Sequence, residues 1–252
     1  MTQKIIAVVN QKGGVGKTTT TINVAAQLAA GGQTVLLVDL DPQGNSTSGL
    51  GIAKDQAVTT YEVLCEAAQL ATAVQETNVA KLHVLPSNSN LAGAEVALVS
   101  QPNREFTLRQ ALQDANYDVV LIDCPPSLGL LTVNALTAAN FVLIPVQAEY
   151  YALEGLSELL NTVQAVKHST NPQLELLGIA LTMYDKRTSL SEQVKEEVEK
   201  YFGAKLFKAL IPRNVRLAEA PSYGKTIFEH DRWSKGARAY KALAREVRDR
   251  LV

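Results

Sequence analysis

The chain has 252 residues, 46% hydrophobic and 19% charged, with two cysteines and a formal net charge of −1. That balance belongs to an ordinary globular protein able to bury a substantial core, and it excludes disordered, collagenous and fibrous chains. Cys65 and Cys124 lie far apart without metal-ligand spacing, which argues against a disulfide scaffold, a zinc site or an iron–sulfur cluster within one chain and fits a reduced cytosolic setting.

Short runs rich in Val, Ile and Leu alternate with segments of helical period. In chain order the expected elements are a strand at 5–10, a helix at 17–30, a strand at 35–39, an irregular stretch at 49–75 suited to switch or peripheral helices, and a strand at 82–85. A helix at 105–115, a strand at 119–123, a helix at 131–139 and a strand at 141–146 follow. The rest is a helix at 153–168, a strand at 176–183, a helix at 190–202, a strand at 206–211 and a helix at 236–251. Runs such as Val119-Val-Leu-Ile do not alternate in polarity, as in strands covered on both faces. The expectation is α/β: a doubly wound, mainly parallel sheet flanked by helices, with residues 1–252 forming one domain. No repeat, low-complexity tract or Gly/Ser linker interrupts it. The apolar run in residues 1–10 is too short for a signal peptide, and no apolar stretch reaches the roughly 18–20 residues that span a bilayer.

In such sheets ligands sit beyond the carboxyl ends of the strands. Four expected strand ends carry suggestive groups: Lys12 to Thr18 after the first, Asp39 and Asp41 after the second, Asp123 after the run 119–122, and Pro212 to Arg216 after 206–211. In Lys12-Gly13-Gly14-Val15-Gly16-Lys17-Thr18, three glycines let the backbone curl so that successive N–H groups face an anion. The following helix adds its unpaired N–H groups and positive dipole end. Lys17 would reach the β- and γ-phosphates, and the Thr18 hydroxyl would ligate Mg²⁺. The loop departs from the common G-x-x-x-x-G-K-[ST] pattern: Gln11 stands where glycine is usual, and Lys12 is extra. A second lysine makes sense if it reaches a nucleotide bound by another subunit. The plainer alternatives are that Asp39 and Asp41 cap the next segment and that Asp123 ends a strand before Pro125. Cys65, Cys124 and the three histidines read as packing or surface residues, and Trp233, with no neighbours that suggest a stacking platform, as structural.

Asn10-Gln-Lys-Gly-Gly-Val-Gly-Lys-Thr-Thr19 resembles the deviant Walker A loop of the ParA/MinD ATPases, a branch of the P-loop NTPases. Asp39-Leu-Asp-Pro-Gln-Gly-Asn45 and Leu121-Ile-Asp-Cys-Pro-Pro-Ser127 resemble their two downstream acidic motifs. Gln147-Ala-Glu-Tyr-Tyr-Ala-Leu-Glu-Gly155 and the stretch Ile211 to Lys225 are close to the Soj-type branch. The resemblance runs over nearly the whole chain. It implies ATP/ADP and Mg²⁺ as ligands, with Lys12 contacting the phosphates of a partner subunit in an ATP sandwich homodimer. It further implies phosphate and Mg²⁺ binding by Lys17, Thr18 and Thr19, an attacking water positioned by Asp41, Mg²⁺ held through its water shell by Asp123, and adenine-side contacts from Pro212 and Asn214. Phosphoryl transfer depends on positioning and charge neutralisation, which lysines and Mg²⁺ supply.

Charge placement bears on what such a dimer grips. Residues 186–252 hold 16 Lys+Arg against 9 Asp+Glu, and residues 1–185 hold 8 against 16. A cationic third hints at nucleic acid, although Lys- and Arg-rich surface helices are common. By resemblance, the ParA-type reading is a DNA-segregation ATPase whose dimer binds DNA without sequence preference and is released by hydrolysis that a ParB-like centromere-binding protein stimulates. Arg187, Arg213 and Arg216 are the first candidates for phosphate contact, with Lys225, Arg238 and Lys241 adding charge. The expected location is the cytoplasm, on the nucleoid. The alternatives are a MinD-like membrane-associated positioning ATPase and a ParA-like ATPase that positions a protein cargo. Leu243, Val247 and Leu251 make a narrow stripe without Phe or Trp, which reads as a helix packed on its own domain and not as a membrane anchor. A nitrogenase-reductase-like protein would need paired cysteines, and a dethiobiotin-synthetase-like enzyme would lack Lys12. The loop lies too near residue 1 for an N-terminal helix-turn-helix domain, as expected of the short chromosomal type.

Overall fold

All five residues of Val35–Asp39 and all five of Val119–Asp123 are buried, so neither segment has a solvent face and both must lie inside a sheet covered on two sides. The computed structural model describes residues 3–149 and 152–251; Tyr150 and Tyr151, within the 147–155 motif, lie outside them. The strands are β1 (Lys4–Val8), β2 (Val35–Asp39), β3 (Gln75–Glu76), β4 (Leu82–Leu85), β5 (Val119–Asp123), β6 (Phe141–Gln147) and β7 (Glu175–Thr182). Their order is β3-β4-β2-β5-β1-β6-β7, parallel except for β3 against β4.

The helices are α1 (Lys17–Ala30), α2 (Asn45–Gly49), α3 (Thr60–Cys65), α4 (Leu70–Ala73), α5 (Ala94–Val99), α6 (Thr107–Ala111), α7 (Leu130–Ala138), α8 (Ala152–Ser169), α9 (Ser189–Phe202), α10 (Val215–Glu219), α11 (Ile227–Asp231) and α12 (Lys235–Arg250). Alternate strand residues feed two apolar layers. Ile6, Val8, Leu37, Leu121 and Leu143 pack with α1 and α12; Ala7, Val38, Val120, Ile122 and Ile144 pack under α5, α7 and α8. The stripe Leu243, Val247, Leu251 is buried in the first layer, and the Tyr240 hydroxyl meets that of Thr20 on α1 at 3.1 Å. Among the described residues no helix is long and apolar enough to cross a membrane.

Two sequence expectations are corrected. Residues 206–211 do not form a continuous strand: the segment meets β7 through an isolated parallel bridge, Ile179 to Leu206, and a second bridge, Tyr184 to Pro212, lies just beyond both. The N–H groups of Lys208 and Ala209 turn instead to the Glu246 carboxylate, at 2.9 and 2.8 Å, and this interrupts the ladder. The helix expected at 105–115 is a 3₁₀ turn at Arg104–Phe106 followed by α6, because the Asn134 side chain takes the N–H of Leu108 and the hydroxyl of Thr107 and restarts the helix there.

Gly224 joins the basic C-terminal region to the segment after α2. It has φ 62°, and a Cβ there would lie 2.7 Å from Cα of Gly51, itself at φ 78°. Left-handed strain and a backbone clash act together, so Gly224→Ala is expected to cost about 2–4 kcal/mol of stability. Denaturant unfolding with an unchanged m-value measures it; a loss under 0.5 kcal/mol would show that the seam opens freely.

Candidate phosphate-binding site

The site starts where β1 runs out of partners. Val9 donates to the Leu143 carbonyl at 3.1 Å, and Asn10 then pins the turn, its Nδ2 donating to Pro145 O at 2.7 Å while its Oδ1 accepts the N–H of Lys12 at 2.9 Å. Gly14 (φ 75°) and Gly16 (φ 88°) take the left-handed conformation that a tight, inward-facing curl requires. The carbonyl of Val15 is held by the Thr182 hydroxyl at 2.8 Å, and its side chain is buried. Gly16 stands at the N-cap of α1 and offers no side-chain cap, so the N–H groups of the helix's first turn remain available to an anion.

Lys17 is 7% exposed, and its Nζ donates to the Lys12 carbonyl at 3.2 Å. Burial pushes its ammonium pKa down, against the opposing pull of Asp123, Cys124 and Asp41. The strand register places Asp39, Asp123 and Val8 side by side, so the two acidic motifs meet the loop at one sheet edge. Asp123 is fully buried; Ser46 donates to it at 2.7 Å and Thr21 at 3.3 Å. Burial raises its carboxyl pKa, and hydrogen bonds from Ser46 and Thr18 work the other way. Asp39 is also raised, by burial and then by the charge of Asp123. Its Oδ2 accepts both the N–H and the hydroxyl of Thr47 at 2.7 Å, so it caps α2. The capping alternative thus describes Asp39. Asp41, 7% exposed, accepts the N–H of Gln43 at 2.9 Å and lies near enough to Lys17 and Asp123 to act on both electrostatically.

A cavity of about 190 Å³ adjoins the loop, lined by Gly16, Thr19, Pro212, Asn214, Leu217 and Tyr240 among others. Asn214 Oδ1 is buried there without a hydrogen-bond partner. Lys12 stands at the loop mouth, half exposed, with its Nζ 2.8 Å from Glu149 Oε2. Among the described residues no cluster of three or more His, Cys, Asp and Glu forms a protein-only metal cage.

The bridge between Tyr184 and Pro212 puts Arg187 and Arg213 on neighbouring segments of the same edge. Arg187 is paired with Asp185 at 2.7 Å, and Arg216 with Glu219 at 2.9 Å and Asp231 at 3.7 Å. Arg213 is exposed and has no ion pair among the described residues. Trp233, read from the sequence as structural, is 75% exposed with Arg232 over its ring. Sequence reasoning gave no role to Glu149, Ser46, Thr182 or Tyr240. Glu149 lay inside a quoted motif and Ser46 one residue beyond another; Thr182 and Tyr240 act across more than 160 residues and left no local signal.

A family model described as an AAA domain matches residues 3–176. The chain is 57% identical over 247 residues to the sporulation initiation inhibitor protein Soj of Bacillus subtilis (strain 168), covering 97% of this chain and 98% of that one. It is 54% identical over 250 residues to the chromosome partitioning protein ParA of Myxococcus xanthus, covering 98% and 88%. Among solved structures, cobyrinic acid a,c-diamide synthase from Mycobacterium smegmatis with bound ADP and magnesium superposes with a TM-score of 0.85 at 41% identity, covering 97% and 93%.

Proposed function

Since this chain belongs to the Soj/ParA family of partition ATPases, we propose that it is an ATP-dependent DNA-segregation ATPase whose ATP-bound form is a sandwich homodimer. The carrying observation is the division between its two loop lysines: Lys17 is buried over the loop, whereas Lys12 stays half exposed at the mouth with one acidic neighbour. On this reading Lys17 serves the chain's own nucleotide, and Lys12 leaves Glu149 to cross to a second copy.

The residues fit ATP and Mg²⁺. The backbone N–H groups of residues 13–19 and the Lys17 ammonium match a polyphosphate, and the buried, unpartnered Asn214 Oδ1 suits an adenine amino group beside Pro212. Thr18, Asp41 and Asp123 offer hard oxygen donors that would hold Mg²⁺ directly or through its water shell. Bound there, Mg²⁺ would neutralise charge on the phosphates. Asp41 is the residue assigned to orient the attacking water, and Lys17 and Lys12 stabilise charge on the transferring group.

Against a MinD-like membrane role, the apolar stripe of α12 is spent on the chain's own core.

In this reading the dimer binds DNA without sequence preference through Arg187, Arg213 and Arg216, lies on the nucleoid in the cytoplasm, and is released when a ParB-like partner stimulates hydrolysis. Doubling a cationic surface in the dimer supplies avidity without a sequence-reading helix. Sedimentation with DNA and with liposomes, each with ATP, ADP or no nucleotide, tests it: ATP-dependent pelleting with DNA alone is expected, and pelleting with liposomes alone would favour the membrane alternative. Arg216→Glu is expected to weaken DNA binding more than tenfold with dimerisation intact; binding at full strength would move the contact surface elsewhere.

A further inference from the structure

Trp233 is the single tryptophan of the chain and stands 75% exposed on the turn between α11 and α12. An indole is the side chain with most to gain from leaving water, and exposed tryptophans beside cations are characteristic anchors of contact surfaces. The surroundings here are specific. The Arg232 guanidinium lies over the ring, 4.8 Å from its centroid, and backs one face of the indole while the side chain stays exposed. The Trp233 backbone N–H donates to Asp231 Oδ1 at 3.2 Å, and Asp231 Oδ2 is 3.7 Å from Arg216 Nε. One carboxylate therefore ties the tryptophan turn to Arg216.

On the other side α12 begins. Its Lys235, Arg238 and Lys241 are exposed and make no ion pair among the described residues. The Glu246 carboxylate of the same helix is turned onto the N–H groups of Lys208 and Ala209 and does not neutralise that face. The indole thus stands on a short turn between Arg216, linked to it through Asp231, and the first turn of α12 with Lys235 and Arg238.

We propose that Trp233, backed by Arg232, is an aromatic contact within a DNA-binding surface that runs from Arg216 onto the start of α12. The inference rests on the DNA-binding reading above and adds residues to it. The cations pair with phosphates, and the indole lies against the apolar edge of a deoxyribose. Both are common to every sequence, so the contact strengthens binding without selecting a sequence. Charge decides the occupant: the unpaired Lys235, Arg238 and Lys241 fit a polyanion, which can also draw Arg216 from Glu219 and Asp231, and an apolar partner would leave those cations desolvated.

The sole tryptophan is its own reporter. With ATP present, a fluorescein-labelled duplex is titrated against the unmodified protein while duplex anisotropy and tryptophan emission are followed together. The expected result is an emission change that saturates at the same midpoint as the anisotropy. Trp233→Ala should weaken binding about fivefold without altering the slope of log K against log salt, because no phosphate contact is lost, and Trp233→Phe should recover most of that loss. Arg238→Ala should instead flatten the slope by about one. Anisotropy that rises while emission stays silent overturns the aromatic contact and leaves DNA binding standing. Absence of any anisotropy change in the unmodified protein removes the DNA-binding reading itself. Emission that answers to phosphatidylglycerol vesicles and not to DNA assigns the ring to a membrane and overturns the proposal. The emission titration needs no variant, so it decides the matter even if Trp233→Ala folds poorly.

Discussion

Lys12→Ala is expected to abolish ATP-dependent dimerisation while leaving much of the nucleotide binding in place. In the single copy Lys12 has one ion-pair partner among the described residues, Glu149, and both side chains are about half exposed. Exposed pairs of this kind are worth roughly 0–1 kcal/mol, so the substitution should leave the thermal midpoint nearly unmoved. In a sandwich dimer the same ammonium would face phosphates at a closed interface. Losing one member of a buried charge pair costs about 2–5 kcal/mol, a factor of roughly 30 to several thousand in the dimer constant. The parked pair cannot by itself keep two copies apart, and Glu149→Gln should strengthen dimerisation by no more than about fivefold. Sedimentation velocity with ATP or a slowly hydrolysed analogue reads both variants. A Lys12→Ala dimer of unchanged strength would mean that the lysine serves its own subunit or none.

Asp41→Ala should lower hydrolysis by about 100-fold or more and leave ATP-bound dimers on DNA. The side chain is 7% exposed, two residues past the end of β2, and shares the electrostatic field of Lys17 and Asp123. It also accepts the Gln43 N–H at 2.9 Å, so its removal costs a turn hydrogen bond of about 1 kcal/mol as well. Asp41→Asn separates the two effects, because the amide oxygen can still take that N–H but carries no charge. Phosphate release and co-sedimentation with DNA are the measurements. Normal turnover in either variant would remove Asp41 from the chemistry, and recovery in the Asn variant alone would leave it a role in the turn.

The layout was legible in the sequence wherever one residue type serves one physical purpose. Uninterrupted apolar runs marked β2 and β5, since a strand buried on both faces has no polar side to show. Glycines before Lys17 marked the loop because few other residues take φ near +80°. The short helices α2, α10 and α11 escaped, being five residues each and too brief to display a period. The stretch 206–211 misled for a different reason: its β-like composition is real, but a carboxylate 37 residues downstream takes the backbone N–H groups. Asp39 and Asp41 look alike in the string Asp-Leu-Asp, and burial separates them. Asp39, fully inside, spends its oxygens on Thr47 and the Asp41 N–H; Asp41 remains beside Lys17. The charge excess of the C-terminal third was visible, whereas the engagement of Arg187 and Arg216 by local acids was not.

The contact of Gly51 with Gly224 has a mechanical meaning. Where side chains separate two segments, rotamer changes act as a soft spacer and absorb a small displacement; where bare backbones touch, there is no spacer. α2 hangs from Asp123 and Asp39 by Ser46 and Thr47, and it ends two residues before Gly51. A shift of a few tenths of an ångström at those carboxylates would therefore arrive undamped at Gly224 and at Lys225 beside it. A direct backbone contact thus joins the acidic edge of the molecule to its basic third.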